Sequence, residues 1–318
     1  MGAGPPKDKV DFAAGPWTTG RMQAGIPFPN IGPDIFSIDL GGFTFALRWY
    51  AMAYIVGIIV GWCMAVALVK RPALWRGDPP LTPAQVDDFI TWIILGIIVG
   101  GRIGFVLFYQ PAYYLSNPLE IPMIWQGGMS FHGGFLGVML VIWIFARRHG
   151  AALGSMADMT AICVPPGLFL GRIANFINAE LWGLPTSQPW GVIFPGAAAQ
   201  DCPLVDGLCA RHPSQLYEAG LEGLLLGGVL LTMALGRGWL KTPWAITGLF
   251  IGGYGAARFF VEFFRQADAQ YITPDNPFGY VVTLGDWGLK MGQTLSLPML
   301  LIGLALLIWA RGRGSGRA

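Results

Sequence analysis

Long apolar runs alternate with short polar stretches along most of the chain. A transmembrane helix needs about 20 apolar residues, and several runs reach that length. We therefore predict an all-α membrane protein with seven transmembrane helices, at about residues 44–69, 86–110, 130–147, 154–178, 213–236, 243–265 and 294–311. Pro165-Pro166 lies inside the fourth run and should kink that helix, because proline removes a helical hydrogen bond.

Glycines four residues apart recur in most of these helices. In a membrane this spacing lets two helix backbones approach closely, so we expect one compact bundle. The glycines are Gly57/Gly61, Gly96/Gly100/Gly104, Gly133/Gly137, Gly167/Gly171, Gly223/Gly227 and Gly248/Gly252.

Positive charges concentrate in alternate loops, and such loops stay in the cytoplasm. Loops 111–129, 179–211 and 266–293 hold few of them, which predicts an external N-terminus and a cytoplasmic C-terminus. The expected parts are an extracytoplasmic N-terminal tail at 1–40, a seven-helix membrane domain at 41–311 with outer loop 179–211, and a basic cytoplasmic tail at 312–318. Only Lys7, Lys9 and Arg21 disagree, far from the first helix.

Composition supports the membrane assignment. The 318 residues are 54% hydrophobic and 12% charged, with a mean hydropathy of +0.53, whereas soluble domains carry about twice that charge fraction. The histidines and cysteines lack metal-ligand spacing, and nucleotide-binding motifs are missing. We therefore expect no metal, no cofactor, and no nucleotide or nucleic-acid partner.

Polar residues lie at one depth, in the outer halves of six predicted helices. They include Arg48, Tyr50, Arg102, His132, Arg172, Asn175, Gln215, Glu218, Glu222, Tyr254, Arg258 and Glu262. Charges inside a bilayer are costly unless they face a partner, a cavity or a ligand. The inner halves are mostly aliphatic, with Asp158 as the main exception. This pattern predicts a pocket that is open to the outer leaflet, and its arginines favour a phosphate anion such as a phospholipid headgroup.

Several of these residues also have structural interpretations. Arg258 and Glu262 could be an ion pair between helices, and Arg48 is more typical of an interfacial arginine. Glu218 and Glu222 repel one another at i, i+4 unless one is protonated or each has its own arginine. Structural pairing is the default for both.

The glycine-rich turn before the third predicted helix also has two interpretations. Ser130 fits an N-cap position, and its surroundings do not match a hydrolase nucleophile elbow. His132 is either a histidine of that capped turn or a proton acceptor near neutral pH. In the outer loop, Cys202 and Cys209 could form a disulfide on an oxidising side of the membrane.

Five ordered motifs resemble the prolipoprotein diacylglyceryl transferase family over about residues 40–311. The most specific is Gly171-Arg-Ile-Ala-Asn-Phe-Ile-Asn-Ala-Glu-Leu-Trp-Gly183. The others are Gly100-Gly-Arg-Ile-Gly-Phe-Val-Leu-Phe-Tyr109, Ser130-Phe-His-Gly-Gly134, His212-Pro-Ser-Gln-Leu-Tyr-Glu218 and Tyr254-Gly-Ala-Ala-Arg-Phe-Phe-Val-Glu262. Leu184 and Phe105 depart from the family pattern, where an arginine and a tyrosine are common.

The resemblance implies a diacylglyceryl transferase of the bacterial cytoplasmic (inner) membrane, with its active site toward the outer leaflet. Its implied partners are phosphatidylglycerol, the prolipoprotein signal peptide with its lipobox cysteine, and membrane lipids; the products are a thioether and glycerol phosphate. The implied catalytic residues are His132, Arg258, Glu262 and Tyr50. The expected phosphatidylglycerol-binding residues are Arg172, Asn175, Glu180, Gly183 and Tyr254, together with Arg102 from its depth.

Two other classes of protein fit the membrane pattern less well. A secondary transporter or flippase would show inverted repeats and polar residues through the full depth, and the sequence shows neither. An intramembrane hydrolase needs an activated serine, for which we find no convincing candidate.

Overall fold

A computed structural model of the protein describes residues 25–39, 41, 44–202, 205, 207–285 and 287–315. Most of the predicted N-terminal tail and the end of the basic C-terminal tail lie outside these ranges. So do several charged residues of the tails and outer loops, namely Lys7, Lys9, Arg21, Asp206, Asp286 and Arg317.

Helices dominate the described residues, which confirms a helical membrane protein. They are α1 (Trp49–Val69), α2 (Pro83–Phe108), α3 (Pro111–Ser116), α4 (Phe131–His149), α5 (Leu153–Cys163), α6 (Pro165–Ile177), α7 (Ala197–Gln200), α8 (Ser214–Gly236), α9 (Ala245–Val261) and α10 (Met291–Ser315). Among the described residues, six helical segments are long and apolar enough to cross a membrane, with α5 and α6 counted together. The remaining predicted span, the sixth at 243–265, corresponds to α9, an apolar helix of only 17 residues.

Three two-stranded sheets lie outside the spans in the described part of the chain. They pair β1 (Ile26–Pro27) with β4 (Val192–Ile193), β2 (Asp34–Asp39) with β3 (Thr44–Arg48), and β5 (Tyr280–Leu284) with β6 (Trp287–Lys290). The predicted start of the first span at residue 44 is therefore wrong. Residues 44–48 hydrogen-bond to the preceding strand, and the helix begins at Trp49.

Close glycine contacts hold neighbouring helices together. A Cβ atom on Gly100 would collide with the backbone of Gly133, and one on Gly303 would collide with Gly252. The pairs α2–α4 and α9–α10 can therefore approach only because these positions lack side chains. This packing agrees with the compact bundle that the glycine spacing predicts.

The fourth span breaks at the predicted proline pair, with α5 ending at Cys163 and α6 beginning at Pro165. Asp158 of α5 has a structural explanation. Its carboxylate accepts hydrogen bonds from the backbone N–H of Trp244 at 2.8 Å, and from the N–H and hydroxyl of Thr247 at 2.7 and 2.6 Å. It therefore caps the N-terminus of α9 from a neighbouring helix.

α8 contains a π-helical segment, Ala219–Leu225, directly after Glu218. Such segments are rare in proteins, and those that occur are often found at functional sites. Here the segment carries Glu222, and it lies in the part of the bundle where α6 and α9 also contribute charges.

Candidate active site

An ion-pair network occupies the interior where α6, α8 and the end of α9 meet. Arg172 lies 2.8 Å from Glu218 Oε2 and 3.4 Å from Glu222 Oε2. Arg258 lies 2.6 Å from Glu218 Oε1 and 2.8 Å from Glu262 Oε2. The structure thus brings together residues that are far apart in the sequence and that we predicted to share one depth.

Glu218 is the centre of this network. Besides the two arginines above, it binds Arg265, whose Nη1 lies 2.9 Å from Glu218 Oε1. Arg265 also approaches Glu262 at 3.7 Å. Both Glu218 and Glu222 therefore have arginine partners, as their spacing requires. Sequence reasoning missed Arg265, although its i, i+3 spacing from Glu262 was a usable signal.

The arginines face the open side of the network, and the carboxylates lie behind them. The side chains of Arg172, Arg258 and Arg265 are 18%, 17% and 12% exposed, against 1% for Glu218 and 0% for Glu222. Within the described chain, the Nε atoms of Arg172 and Arg258 and the Nη2 atom of Arg265 make no hydrogen bond. An incoming anion would therefore meet guanidinium groups with free donors.

The segment after α6 turns back on itself. The Asn175 amide donates to Glu180 Oε1 at 2.7 Å, and the Glu180 N–H donates to the Asn175 carbonyl at 3.1 Å. Gln215 Nε2 donates to the Glu180 carbonyl at 2.5 Å. Ala179 and Leu181 adopt positive φ values of 53° and 58°, which few residues other than glycine adopt. These contacts fix Asn175 and Glu180 at the end of α6, five residues apart in sequence.

Gly183 joins this turn to the network. Its N–H donates to the His212 carbonyl at 2.9 Å, and it forms an isolated antiparallel bridge with Arg265. A Cβ atom at this position would collide with the Phe264 carbonyl and with His212. Gly183 therefore has no space for a side chain, and it lies beside the backbone of a network arginine.

Tyr254 lies near the network, and Tyr50 is connected to it through a second tyrosine. Tyr254 precedes Arg258 by one helical turn, and it lies close enough to Arg172 and Glu222 to interact with their charges. The Tyr50 ring centroid lies 5.2 Å from that of Tyr54, which is itself within electrostatic range of Arg172. Tyr50 is thus connected to the network through Tyr54, a residue that sequence reasoning overlooked.

His132 lies in the first turn of α4 and is exposed. Its ring contacts Phe131 edge-on at a centroid distance of 5.8 Å, and no described residue hydrogen-bonds to it. The preceding Ser130 accepts a hydrogen bond from the Gly133 N–H at 3.2 Å, so the predicted N-cap is confirmed. The imidazole is therefore available to a substrate but is not oriented by a protein partner.

The structure does not bring Arg102 to the network. Its Nε, Nη1 and Nη2 atoms donate to the backbone carbonyls of Ile121, Gly127 and Glu120 at 2.6, 2.6 and 2.7 Å. The guanidinium also lies 5.1 Å from the centroid of the Tyr114 ring. Arg102 thus holds the loop that leads into α4.

Arg211 has a similar environment in the outer loop. It donates to the carbonyls of Ala199, Asp201 and Gly183 at 2.5, 2.9 and 3.2 Å, and lies 4.1 Å from the centroid of the Trp182 ring. Burial lowers the pKa of Arg211 to about 10, because the charged form loses water without gaining a carboxylate partner at hydrogen-bond distance.

The sequence left open whether Cys202 and Cys209 pair, and the structure shows a disulfide directly after the segment that binds Arg211. It joins Cys202 to Cys209. The Gln200 side chain accepts from the Cys209 N–H at 2.9 Å and donates to the Phe194 carbonyl at 2.8 Å. Two of the carbonyls that bind Arg211, those of Ala199 and Asp201, therefore lie directly before the cross-linked loop.

His212 belongs to a second group that sequence reasoning left aside. Its Nδ1 lies 3.0 Å from the Tyr217 hydroxyl, which accepts a hydrogen bond from Trp190 Nε1 at 2.8 Å. Burial lowers the pKa of His212. In the parts of the chain that the structure describes, no group of three His, Cys, Asp or Glu residues is arranged to hold a metal ion.

Comparisons with known proteins agree with the motifs. The family model described as "Prolipoprotein diacylglyceryl transferase" matches residues 35–309. The phosphatidylglycerol–prolipoprotein diacylglyceryl transferase of Roseobacter denitrificans is 61% identical over 291 residues, covering 91% of this chain and 99% of the relative. That of Ruegeria pomeroyi is 60% identical with the same coverage. The Rhizobium meliloti protein of the same name is 50% identical over 302 residues, covering 95% and 98%. The chain therefore belongs to the prolipoprotein diacylglyceryl transferase family.

Proposed function

We propose that this protein transfers a diacylglyceryl group from phosphatidylglycerol to the lipobox cysteine thiol of a prolipoprotein. The observation that carries the proposal is the network of three arginines, with carboxylates behind them and free guanidinium donors in front. Guanidinium binds phosphate oxygens through paired hydrogen bonds and stays charged when water is removed. Such a site suits the phosphate of an anionic lipid.

The reaction exchanges a C–O bond for a C–S bond. The cysteine thiolate attacks the glyceryl carbon that carries the phosphate ester, and the electron pair of the breaking C–O bond stays on the phosphate oxygen. Negative charge therefore grows on the departing glycerol phosphate. Arg172 and Arg258 bind that charge, and donors placed where charge develops lower the barrier. Glu262 orients Arg258 through their ion pair.

The remaining predicted residues act around this centre. Asn175, held by Glu180, binds headgroup oxygens, and Gly183 allows the close backbone approach beside Arg265. Tyr50 and Tyr254 border the lipid at the two sides of the network. Arg102 contributes by shaping the loop before α4, since carbonyl oxygens occupy all of its nitrogen atoms.

His132 is the base that accepts the thiol proton. A cysteine thiol has a pKa of about 8.5, so a base accelerates thiolate formation near neutral pH. His132→Gln should lose activity by about 10²-fold or more at neutral pH and recover part of it as pH rises toward the thiol pKa. Equal loss at every pH would assign His132 to lipid binding instead.

The topology that fits this reaction has seven spans, including α9, an external N-terminus and a cytoplasmic C-terminus. The network then lies toward the outer leaflet of the bacterial cytoplasmic membrane, and lipid and signal peptide reach it from that leaflet. A cysteine introduced in loop 179–211 should react with an impermeant reagent added outside intact cells. A cysteine in loop 71–84 should not, and the reverse pattern would refute this topology.

Reconstitution tests the activity directly. The purified protein is incubated with phosphatidylglycerol and a lipobox peptide, and the peptide is weighed by mass spectrometry. We expect the mass of one diacylglyceryl group on the cysteine and release of glycerol phosphate. A peptide with serine in place of that cysteine is the control. Movement of lipid across vesicles without peptide modification would favour the flippase interpretation.

A further inference from the structure

An apolar groove of about 480 Å³ runs along the bundle between α1 and α8. Val56, Val60 and Met64 line one wall, and the other wall extends from Gly223 to Leu231. The proline pair at the break between α5 and α6 lies at the floor. Every residue that lines the groove is apolar, so its contents must be apolar too.

Glycine contacts explain why the groove is open. Gly57 of α1 packs against Gly167 of α6, where an added Cβ would lie 3.0 Å from the Gly167 Cα. On the other side, Gly223 of α8 packs tightly on Phe169. α6 therefore contacts both helices closely and keeps them apart, and the space between them remains as the groove.

One end of the groove lies at the ion-pair network. Phe169, which lines the groove, is one helical turn from Arg172, and Gly223 directly follows Glu222. Arg172 and Glu222 are themselves in contact. A lipid whose phosphate binds Arg172 would therefore have its hydrocarbon at the mouth of the groove, a continuity that an incidental surface groove would lack.

The length of the groove matches an acyl chain. Val56 to Met64 is eight residues, which is about 12 Å along a helix, and one leaflet of hydrocarbon is about 15 Å thick, half of the full core. Arg172 lies five residues inside the end of α6, or about 8 Å. A headgroup drawn that far inward carries its chains toward the middle of the bilayer, where the groove walls can surround one of them.

We propose that this groove binds one acyl chain of the diacylglyceryl donor and that Gly228 limits the chain length it accepts. The inference rests on the proposed function, since it assigns a subsite for the lipid of that reaction. Gly228 lines the groove in its deeper half, and a Cβ built there has no heavy atom within 4 Å. A larger side chain at this position can therefore extend into the groove without displacing backbone.

The test compares phosphatidylglycerols of different chain length as donors to a lipobox peptide. Gly228→Leu should lower kcat/KM for dioleoyl-phosphatidylglycerol by roughly 10-fold, within the range for one misfit methylene or more in an apolar pocket. It should leave kcat/KM for dihexanoyl-phosphatidylglycerol nearly unchanged, because a six-carbon chain ends before it reaches Gly228. Gly236→Leu is the matched control, because Gly236 also has open space at its Cβ but lies outside the groove. The Gly236→Leu variant should have an unchanged kcat/KM for both donors.

An unchanged ratio between the two donors in Gly228→Leu would overturn the proposal and leave the groove to bulk membrane lipid. A wild-type protein that modifies the peptide with neither donor would instead refute the proposed function. Gly228→Ala provides a second variant, with a smaller shift in the same direction, should the leucine variant fold poorly.

A photo-crosslinking measurement on the wild-type protein does not depend on any variant. A phosphatidylglycerol with a diazirine at the end of one chain should label peptides that contain Met64 or Leu231, at the deep end of the groove. Excess unlabelled phosphatidylglycerol should abolish this labelling, whereas excess phosphatidylcholine should not. Equal competition by the two lipids would show that any membrane lipid fills the groove.

Discussion

The protein buries arginines in two different environments. In the ion-pair network, Arg172 and Arg258 bind carboxylates of Glu218, Glu222 and Glu262. Arg102 of α2 and Arg211 of the outer loop instead donate mainly to backbone carbonyls, and only 4% and 2% of their surfaces remain exposed. The network arginines keep 18% and 17% of their side chains exposed.

The difference shows which arginines can bind a ligand. A carbonyl cage, meaning the set of backbone carbonyls around Arg102 or Arg211, binds the guanidinium nitrogen atoms without placing a carboxylate at hydrogen-bond distance. Carboxylates behind a guanidinium balance its charge and fix its orientation, while the exposed edge stays free. The first arrangement joins loops, and we propose that the second holds an anion. The comparison makes separate predictions for the two groups.

The largest effect is expected in the network. Arg258→Lys keeps the charge but loses the planar fork that can bind a phosphate and a carboxylate together. We expect transfer from phosphatidylglycerol to a lipobox peptide to fall by roughly 10²-fold, as for the loss of one oxyanion donor. Arg172→Lys should behave alike. Protein level in the membrane is measured beside thioether formation.

Arg211→Lys is the matched control for that experiment. It makes the same chemical change at a carbonyl-bound arginine, so we expect a smaller loss of transfer than in Arg258→Lys. Full activity of a stably inserted Arg258→Ala protein would mean that the network is structural and that phosphate binds elsewhere.

A smaller effect is expected from Arg102→Lys. A lysine ammonium cannot reach all three carbonyls that the guanidinium binds, and each lost charged hydrogen bond costs about 1.5–3 kcal/mol. We expect a lower melting temperature and faster proteolysis in loop 117–128, with transfer reduced by about 10-fold or less. A loss as large as that of Arg258→Lys, without the proteolysis, would place Arg102 at the substrate.

Sequence alone predicted most of the spans, and it placed all of the network residues except Arg265 at one depth. The apolar runs and the proline pair have direct structural causes, since hydrocarbon thickness and a missing N–H act locally. Arg265 and Tyr54 were missed because their importance depends on helices that are distant in sequence. The π segment after Glu218 has no local signal either. The 44–48 strand was read as helix because a short apolar run fits both structures.

Arg102 illustrates the limit of an argument from depth. Its position in the sequence predicted a place among the arginines of the network, but depth along one axis does not give direction around a helix. Its guanidinium instead donates to backbone carbonyls that lie 18 to 25 residues further along the chain. The same argument from depth was right for Arg172 and Arg258, which face glutamates of α8.

The disulfide tests how far the carbonyl cage of Arg211 depends on a cross-link. Replacing both Cys202 and Cys209 by serine should destabilise the outer loop, by about 2 kcal/mol or less, because the closed loop is short. Transfer should fall only a few-fold, through movement of Trp182 and Gly183. Thermal unfolding and transfer are measured with and without a reductant on wild type. A reductant effect that persists in the double serine variant would exclude this disulfide as its cause.

The smallest expected effect concerns pH at His212, the neighbour of the caged Arg211. Burial lowers the pKa of His212 below its ordinary value of 6.5, so the unfolded chain binds a proton more readily than the folded protein does. Its contribution to stability is therefore fully present above pH 6.5 and is lost as the pH falls through the lower, folded pKa. Protonation of His212 would also place a second positive charge beside Arg211, which already lies among backbone carbonyls.

We expect the melting temperature of wild type to fall on acidification by slightly more than that of His212→Gln, which cannot titrate. Parallel curves for the two proteins would show that His212 does not contribute. A steeper fall in His212→Gln would reverse the sign of the argument and imply that the histidine gains an anionic partner when protonated.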